Sequence, residues 1–191
     1  LQHLWADVQN NLQDVFQMES PYCDPLDPDT CNERALWYIY LCYILAPLRG
    51  QVVLSQKLMI RLELTRACKD ILADYNKLLN VQPLKALDLD ASALQLCHAF
   101  DAYESIALIA YVLQQENAKA WLEPLTRYLK RWRDLKPDLT GDDLIDLGLP
   151  KGESIGKCLK RLRMARITGQ VQNRADEIAY VEEFLKEMGT P

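Results

Sequence analysis

The sequence predicts an all-α protein, a multi-helix body followed by a small helical tail, and three observations carry that prediction. Leu, Ala, Gln, Glu and Lys dominate, while only 7 of the 191 residues are glycine, which is a helix-forming vocabulary. Apolar residues recur at i, i+3 and i+4 in segment after segment, the spacing that places them on one helical face. The breaks between these segments are short, as antiparallel helix pairs require. With 49% apolar residues the chain can bury a substantial core, in one domain or one and a half.

The elements follow in order. Leu4, Trp5, Val8, Leu12, Val15 and Phe16 give residues Leu1 to Phe16 the pattern of an amphipathic helix. Ser20 to Thr30 breaks it with Pro21, Pro25 and Pro28 set among aspartates, and Thr30 or Asn32 can cap the next helix. That helix, Glu33 to Ala46, is apolar almost all round and is predicted to be central in the core. Further helices are predicted over Val52 to Met59, Glu63 to Leu79, Ala91 to Phe100, Tyr103 to Gln115 and Lys119 to Arg133. Their junctions are Pro47 to Gly50, Asn80 to Pro83 and Glu116 to Asn117. No fixed-period repeat is visible. The texture changes after Leu135, and the chain divides into residues 1–60, 61–136 and a tail over 137–191.

Composition narrows the function classes. The six cysteines are Cys23, Cys31, Cys42, Cys68, Cys97 and Cys158; four lie in apolar helical runs and read as buried free thiols of a reducing compartment. Cys23 and Cys31 flank the proline-rich loop and could form a disulfide or half a metal site. The only histidines are His3 and His98, so no structural metal is expected. The first residues carry no basic segment or cleavage pattern of a signal peptide, and the longest apolar run, Leu36 to Leu48, is too short to span a bilayer. A soluble cytoplasmic protein is expected, and the abrupt helical opening at Leu1 reads as a piece of something longer. The formal net charge of −5 hides a local excess: Trp121 to Gln170 holds 11 Lys+Arg against 7 Asp+Glu.

The tail carries the most specific patterns. Thr140-Gly-Asp-Asp-Leu-Ile-Asp-Leu-Gly148 reads as a capping box, with Asp143 at the positive helix end and Gly148 as the stop. Leu147-Gly-Leu-Pro-Lys-Gly-Glu-Ser-Ile-Gly156 then leads into a helix over Ile155 to Ile167. Glycines at 148, 152 and 156 permit a tight turn and close backbone approach, so the amides near Lys151 to Ser154 offer an anion site. At about 100° per residue, Ile155, Cys158, Leu159 and Leu162 share one face and Lys157, Lys160 and Arg161 the other. Lys130, Arg131 and Arg133 lie in the same region. Basic residues on an outer helical face are commonly just solvated; here the adjacent phosphate-friendly turn favours a nucleic-acid backbone. Arg166 falls back on the apolar face and reads as structural, paired with a tail carboxylate. Asn173 caps a last helix whose inner face is Ile178, Val181, Phe184 and Leu185, with Asp176 and Glu177 in its first turn.

The run from Leu139 to Leu159, with Ala165-Arg-Ile-Thr-Gly-Gln-Val and Asn173-Arg-Ala-Asp-Glu, resembles the C-terminal tail of bacterial class II tRNA nucleotidyltransferases, the CCA-adding and A-adding enzymes grouped with bacterial poly(A) polymerases. Upstream, the helices back to about Leu62 are compatible with that family's body, whereas residues 1–60 match only in being helical. The resemblance implies a parent enzyme that adds AMP, or CMP and AMP, to the 3′ end of tRNA, with Mg²⁺ and ATP or CTP bound in a catalytic head. The body and tail would grip the acceptor and T arms of tRNA through shape and phosphate contacts. On that basis Lys151, Gly152, Lys157, Lys160 and Arg161 are the expected backbone contacts, flanked by Lys130, Arg131 and Arg133.

The family's catalytic signatures are missing from this chain. Asp88-Leu-Asp90 lacks a preceding Gly-Ser and sits among helix formers, so it reads as a loop and helix cap; Asp27-Pro-Asp29 reads as a turn, and two-metal chemistry needs carboxylates on a rigid element. Ser154 and His98 have no supporting partner in sequence, and no Walker pattern occurs. No catalytic or metal residue is assigned. Two other classes remain open on the residues alone: a helical adaptor docking a protein through exposed Trp, Tyr and Leu, and a helix-hairpin-helix-like DNA module using Leu147 to Gly156. Nothing in the sequence speaks to oligomeric state.

Overall fold

A computed structural model describes residues 28–48, 52–187 and 189, with side chains described from residue 35 onward apart from 49–56 and the extreme C-terminus. The predicted helix over Leu1 to Phe16 and the Cys23 and Cys31 side chains lie outside the described residues. The described chain contains no strand. It divides into two compact units, Leu1–Lys130 and Arg131–Pro191. The sequence divisions at 60 and 136 differ from this, because the first described helix packs against later helices of its own unit.

In the first unit, α1 spans Pro28–Leu45, followed by a 3₁₀ turn at Ala46–Leu48, and α2 spans Val52–Arg61. α1 begins earlier than predicted: Pro28 and Asp29 open the helix instead of forming a turn, and Thr30 and Asn32 lie inside it. Proline lacks the amide that a first-turn residue cannot use and has a helical φ already, so it starts a helix readily. α3 (Arg66–Val81) is capped by Thr65, whose hydroxyl accepts from the Cys68 amide at 3.3 Å, and it ends where Gln82 turns left-handed. α4 (Ala93–Phe100) has a reciprocal capping box between Ser92 and Gln95. α5 spans Ser105–Leu113 and α6 spans Ala118–Arg131.

α5, not α1, is the central helix. Every residue from Ala107 to Leu113 is buried, and α5 packs against both α3 and α1. α1 instead leaves Trp37 (51% exposed), Tyr40 (42%) and Ile44 (70%) on one open stripe. The difference is chemical: Ile106 to Val112 carries no polar tip except the Tyr111 hydroxyl, so every face can enter the core. Tyrosines tie neighbours to this helix. The Tyr43 hydroxyl donates to the Ala110 carbonyl at 3.0 Å and that of Tyr75 to Gln114 Oε1 at 2.6 Å.

In the second unit, α7 spans Gly141–Asp146, α8 Glu153–Ile167 and α9 Arg174–Glu187. Leu139, Leu144, Leu149, Cys158, Leu162, Val181 and Phe184 form its core, with Ile155, Leu159, Ile178 and Leu185 packed around them. The faces of α8 and α9 predicted to turn inward therefore do so. Cys42, Cys68, Cys97 and Cys158 are buried free thiols. Desolvation pushes Cys42 up to about 12 and Cys68 up to about 11, so both stay protonated and inert.

Candidate nucleic-acid interface

The turn between α7 and α8 is built by capping at both ends. The Thr140 hydroxyl accepts from the Asp143 amide at 3.3 Å, and Asp143 Oδ2 accepts from the Thr140 amide at 2.7 Å. Arg174 clamps the other carboxylate oxygen at 2.6 Å. The Thr140 side-chain and backbone bonds, then Arg174, hold the Asp143 carboxyl down at about 2. At the far end of α7 the Gly148 amide donates to Ile145 O and the Leu149 amide to Leu144 O, both at 2.9 Å, a Schellman arrangement with the following Leu149 buried. Gly148 has φ +99° and Gly152 φ +128°, conformations that only glycine adopts without strain.

Gly152 is the N-cap of α8 and offers no side chain to the first amides of that helix. The Ile155 amide turns back to Gly152 O at 3.3 Å, while no capping side chain takes the amides of Glu153 and Ser154, which can serve water or an external anion. Ser154 bonds back, its hydroxyl donating to the Pro150 carbonyl at 2.6 Å. Gly156 differs from the other two glycines: it lies inside α8 with no positive φ, and a Cβ added there would meet nothing within 4 Å. A glycine inside a helix costs about 1 kcal/mol relative to alanine. Its structural consequence here is a bare patch of backbone, exposed one turn into the helix.

The expected contact residues do not all share one situation. Lys151 precedes the N-cap and Lys160 lies mid-helix, both exposed. Lys157 is exposed but paired with Glu153 at 3.1 Å. That pair is open to solvent, so it is weak and easily exchanged for another anion. Arg161 lays its guanidinium 4.7 Å from the centre of the Phe184 ring. Lys130 and Arg131 end α6, and Arg133 follows it, half-buried. Lys130 belongs to the first unit and the remaining residues to the second.

Two arginines of α8 are turned inward. Arg166 Nη1 pairs with Asp138 at 2.8 Å and with Glu177 at 3.1 Å, as expected of a structural residue bound to a tail carboxylate. Glu177 is fully buried and also accepts from the amides of Asp138 (3.0 Å) and Leu139 (2.8 Å). Arg163, which the sequence reading passed over, donates through Nε to Leu135 O at 3.1 Å and through Nη2 to Trp132 O at 2.9 Å and Arg133 O at 3.3 Å. No signal in the sequence marks it, because the carbonyls it holds lie in an irregular turn beyond α6.

This partition alters the electrostatics read from sequence. Arg131–Pro191 holds 11 Lys+Arg against 11 Asp+Glu, so the second unit is neutral as a whole. The local excess is real only along Lys151 to Arg166, with six Lys+Arg against Glu153, and there Arg161, Arg163 and Arg166 are engaged with internal partners. The outward field rests mainly on Lys151, Lys157 and Lys160. Among the described residues no group of three or more His, Cys, Asp or Glu is placed to hold a metal ion. Asp88 to Asp90 forms a turn ahead of α4, the Ala91 amide donating to Asp88 O at 3.0 Å. No single helix among the described residues is long and apolar enough to cross a membrane.

Fold and site together define an all-helical chain with a glycine-turn module. Over 144 residues, 73% of the chain, it is 32% identical to a CC-adding tRNA nucleotidyltransferase of Geobacter sulfurreducens. That likeness supports the tRNA nucleotidyltransferase family as the chain's own, although the chain spans only 32% of this relative's length. No family model matches the chain, and no solved structure matches it.

Proposed function

We propose that this chain is the tRNA-gripping body and tail of a class II tRNA nucleotidyltransferase, working in the cytoplasm and holding the acceptor and T arms while a catalytic head extends the 3′ end. The observation that carries the reading is the turn opening α8. Gly152 at φ +128°, bare Gly156 and the exposed lysines at 151, 157 and 160 lie along the turn and first half of one helix. That arrangement suits a sugar-phosphate backbone and reads no base, as a protein accepting many tRNAs requires. Lys151, Gly152, Lys157 and Lys160 are the proposed contacts, with Arg161 on its aromatic seat and Lys130, Arg131 and Arg133 as flanking cations. The product of the parent enzyme is AMP or CMP plus AMP addition on the resemblance alone; the name of the relative adds CMP addition to that choice. Mg²⁺ and ATP or CTP belong to the head, and no residue described here is assigned to them.

Filter binding of tRNA, an acceptor–T-arm minihelix and duplex DNA at several salt concentrations tests the proposal. Both RNAs should bind alike, with log K falling against log salt at a slope of about −2 to −4 for a handful of phosphate contacts. Equal affinity for duplex DNA would replace the reading with a DNA module. Absence of any nucleic-acid binding would favour a protein adaptor instead, docking through the Trp37, Tyr40 and Ile44 stripe.

A further inference from the structure

Five cations lie on α8 between Lys157 and Arg166, and their uses separate by residue type: the lysines face solvent, the arginines hold internal partners. Arg163 is the informative one, because it donates to three main-chain carbonyls of a single short segment, 132–135, that follows α6. α6 ends at Arg131, and the carbonyls of Trp132, Arg133 and Leu135 lie in the turn beyond it, outside any helical ladder. A guanidinium is suited to this place, since its fixed fork reaches several acceptors at once where an ammonium is a single point charge.

The position of Arg163 on α8 matters as much as its partners. Lys160 lies three residues before it, a neighbour on the helix surface. Arg131 and Arg133 bracket Trp132, whose carbonyl Arg163 holds at 2.9 Å. The same side chain therefore holds the 132–135 segment, next in sequence to Arg131, against α8 about one turn after Lys160. It also places a positive charge on carbonyls that would otherwise oppose an incoming phosphate.

We propose that Arg163 is a positioning residue of the RNA grip: by holding the carbonyls of Trp132, Arg133 and Leu135 it joins Arg131 to the lysines of α8 as one phosphate-binding surface. This inference rests on the tRNA-binding reading above. Arg163 itself makes no contact with RNA in this scheme, and its effect is carried by Arg131 and Lys160.

The test is a cycle of Arg163→Gln, Arg131→Ala and the double variant in the whole chain, each measured for tRNA affinity at several salt concentrations and for thermal unfolding. Arg163→Gln should weaken binding about tenfold and make the salt slope shallower by about one, the loss of roughly one phosphate contact. Arg131→Ala should then cost far less affinity in the Arg163→Gln background than in the native chain, because the contact is already lost. Should Arg163→Gln fail to fold, Arg163→Lys replaces it in the same cycle, since it keeps the charge and loses the fork. Strictly additive losses, or native affinity and slope in the folded variant, would overturn the inference while leaving the tRNA reading intact. A native chain that does not bind tRNA would sink the tRNA reading first, and the role of Arg163 with it.

Discussion

In the first unit, polar groups finish what apolar burial begins: Tyr43, Tyr75 and Tyr128 place their rings in or against the core and satisfy only the hydroxyl at the tip. In the second unit the order is reversed. Its core is a few side chains around Leu144, Cys158 and Leu162, and the segments leading into its helices are held by arginines and carboxylates reaching across about 30 residues of sequence. A small unit that cannot bury enough apolar surface gains rigidity from charge-assisted bonds to its own backbone. This also explains why so many of its cations are unavailable to a ligand.

The largest expected difference between the units follows directly. Glu177→Ala leaves the Asp138 and Leu139 amides and one side of Arg166 without their acceptor, and breaking such a buried pair costs about 3–5 kcal/mol. Tyr128→Phe in the first unit removes the hydroxyl's bond to Asp101 and should cost about 1 kcal/mol, the packing of the ring against Phe100 being retained. Urea denaturation, with amide exchange at Leu162 in the core of the second unit as its reporter, measures both. Comparable losses would mean that the second unit is held by its core after all.

The glycines provide a smaller effect with opposite signs. Gly148→Ala forces a side chain onto φ +99° and should destabilise the second unit by about 1–2 kcal/mol. Gly156→Ala meets no neighbour and should stabilise α8 by up to about 1 kcal/mol. If the bare backbone at Gly156 is where RNA approaches, the same change weakens tRNA binding while raising the melting temperature. A variant that gains stability and keeps full affinity would remove Gly156 from the interface.

Much of this organisation is legible in the sequence, and the exceptions have physical causes. Helix positions from α2 to α9 follow the apolar period, and the caps at Thr140 and Asn173 follow from short acceptor side chains before an amphipathic run. The start of α1 differs from the sequence expectation because Pro28, which the pattern groups with a loop, opens the helix. Its central place was misassigned because apolar content alone does not say which helix has neighbours on every side; α5 does, as its lack of polar tips permits. In the candidate site, the glycine turn and the outward lysines were visible. The use of Arg163 was not, since a helical wheel counts arginine and lysine as equal charges and shows nothing of carbonyls 28 to 31 residues away. Glu177 was read as a first-turn acid on its own helix, and its main partners come from the segment before α7.

The smallest effect distinguishes the two capping boxes. Ser92 with Gln95 in the first unit and Thr140 with Asp143 in the second have the same reciprocal geometry. Ser92→Ala and Thr140→Ala should each cost about 1 kcal/mol near neutral pH. They should part in acid, because Gln95 cannot titrate and Asp143 can. The Asp143 carboxyl is held at about 2 in the fold, against roughly 3.9 in an unfolded chain. A carboxyl depressed in this way contributes stability that is complete above the unfolded value and is lost as pH falls from about 4 towards 2. The penalty of Thr140→Ala should therefore shrink across that interval while that of Ser92→Ala stays flat, as read from unfolding curves between pH 7 and pH 2. Two penalties that run parallel down to pH 2 would show that the Asp143 charge does not stabilise the cap, and that the second unit depends on charge less than its geometry indicates.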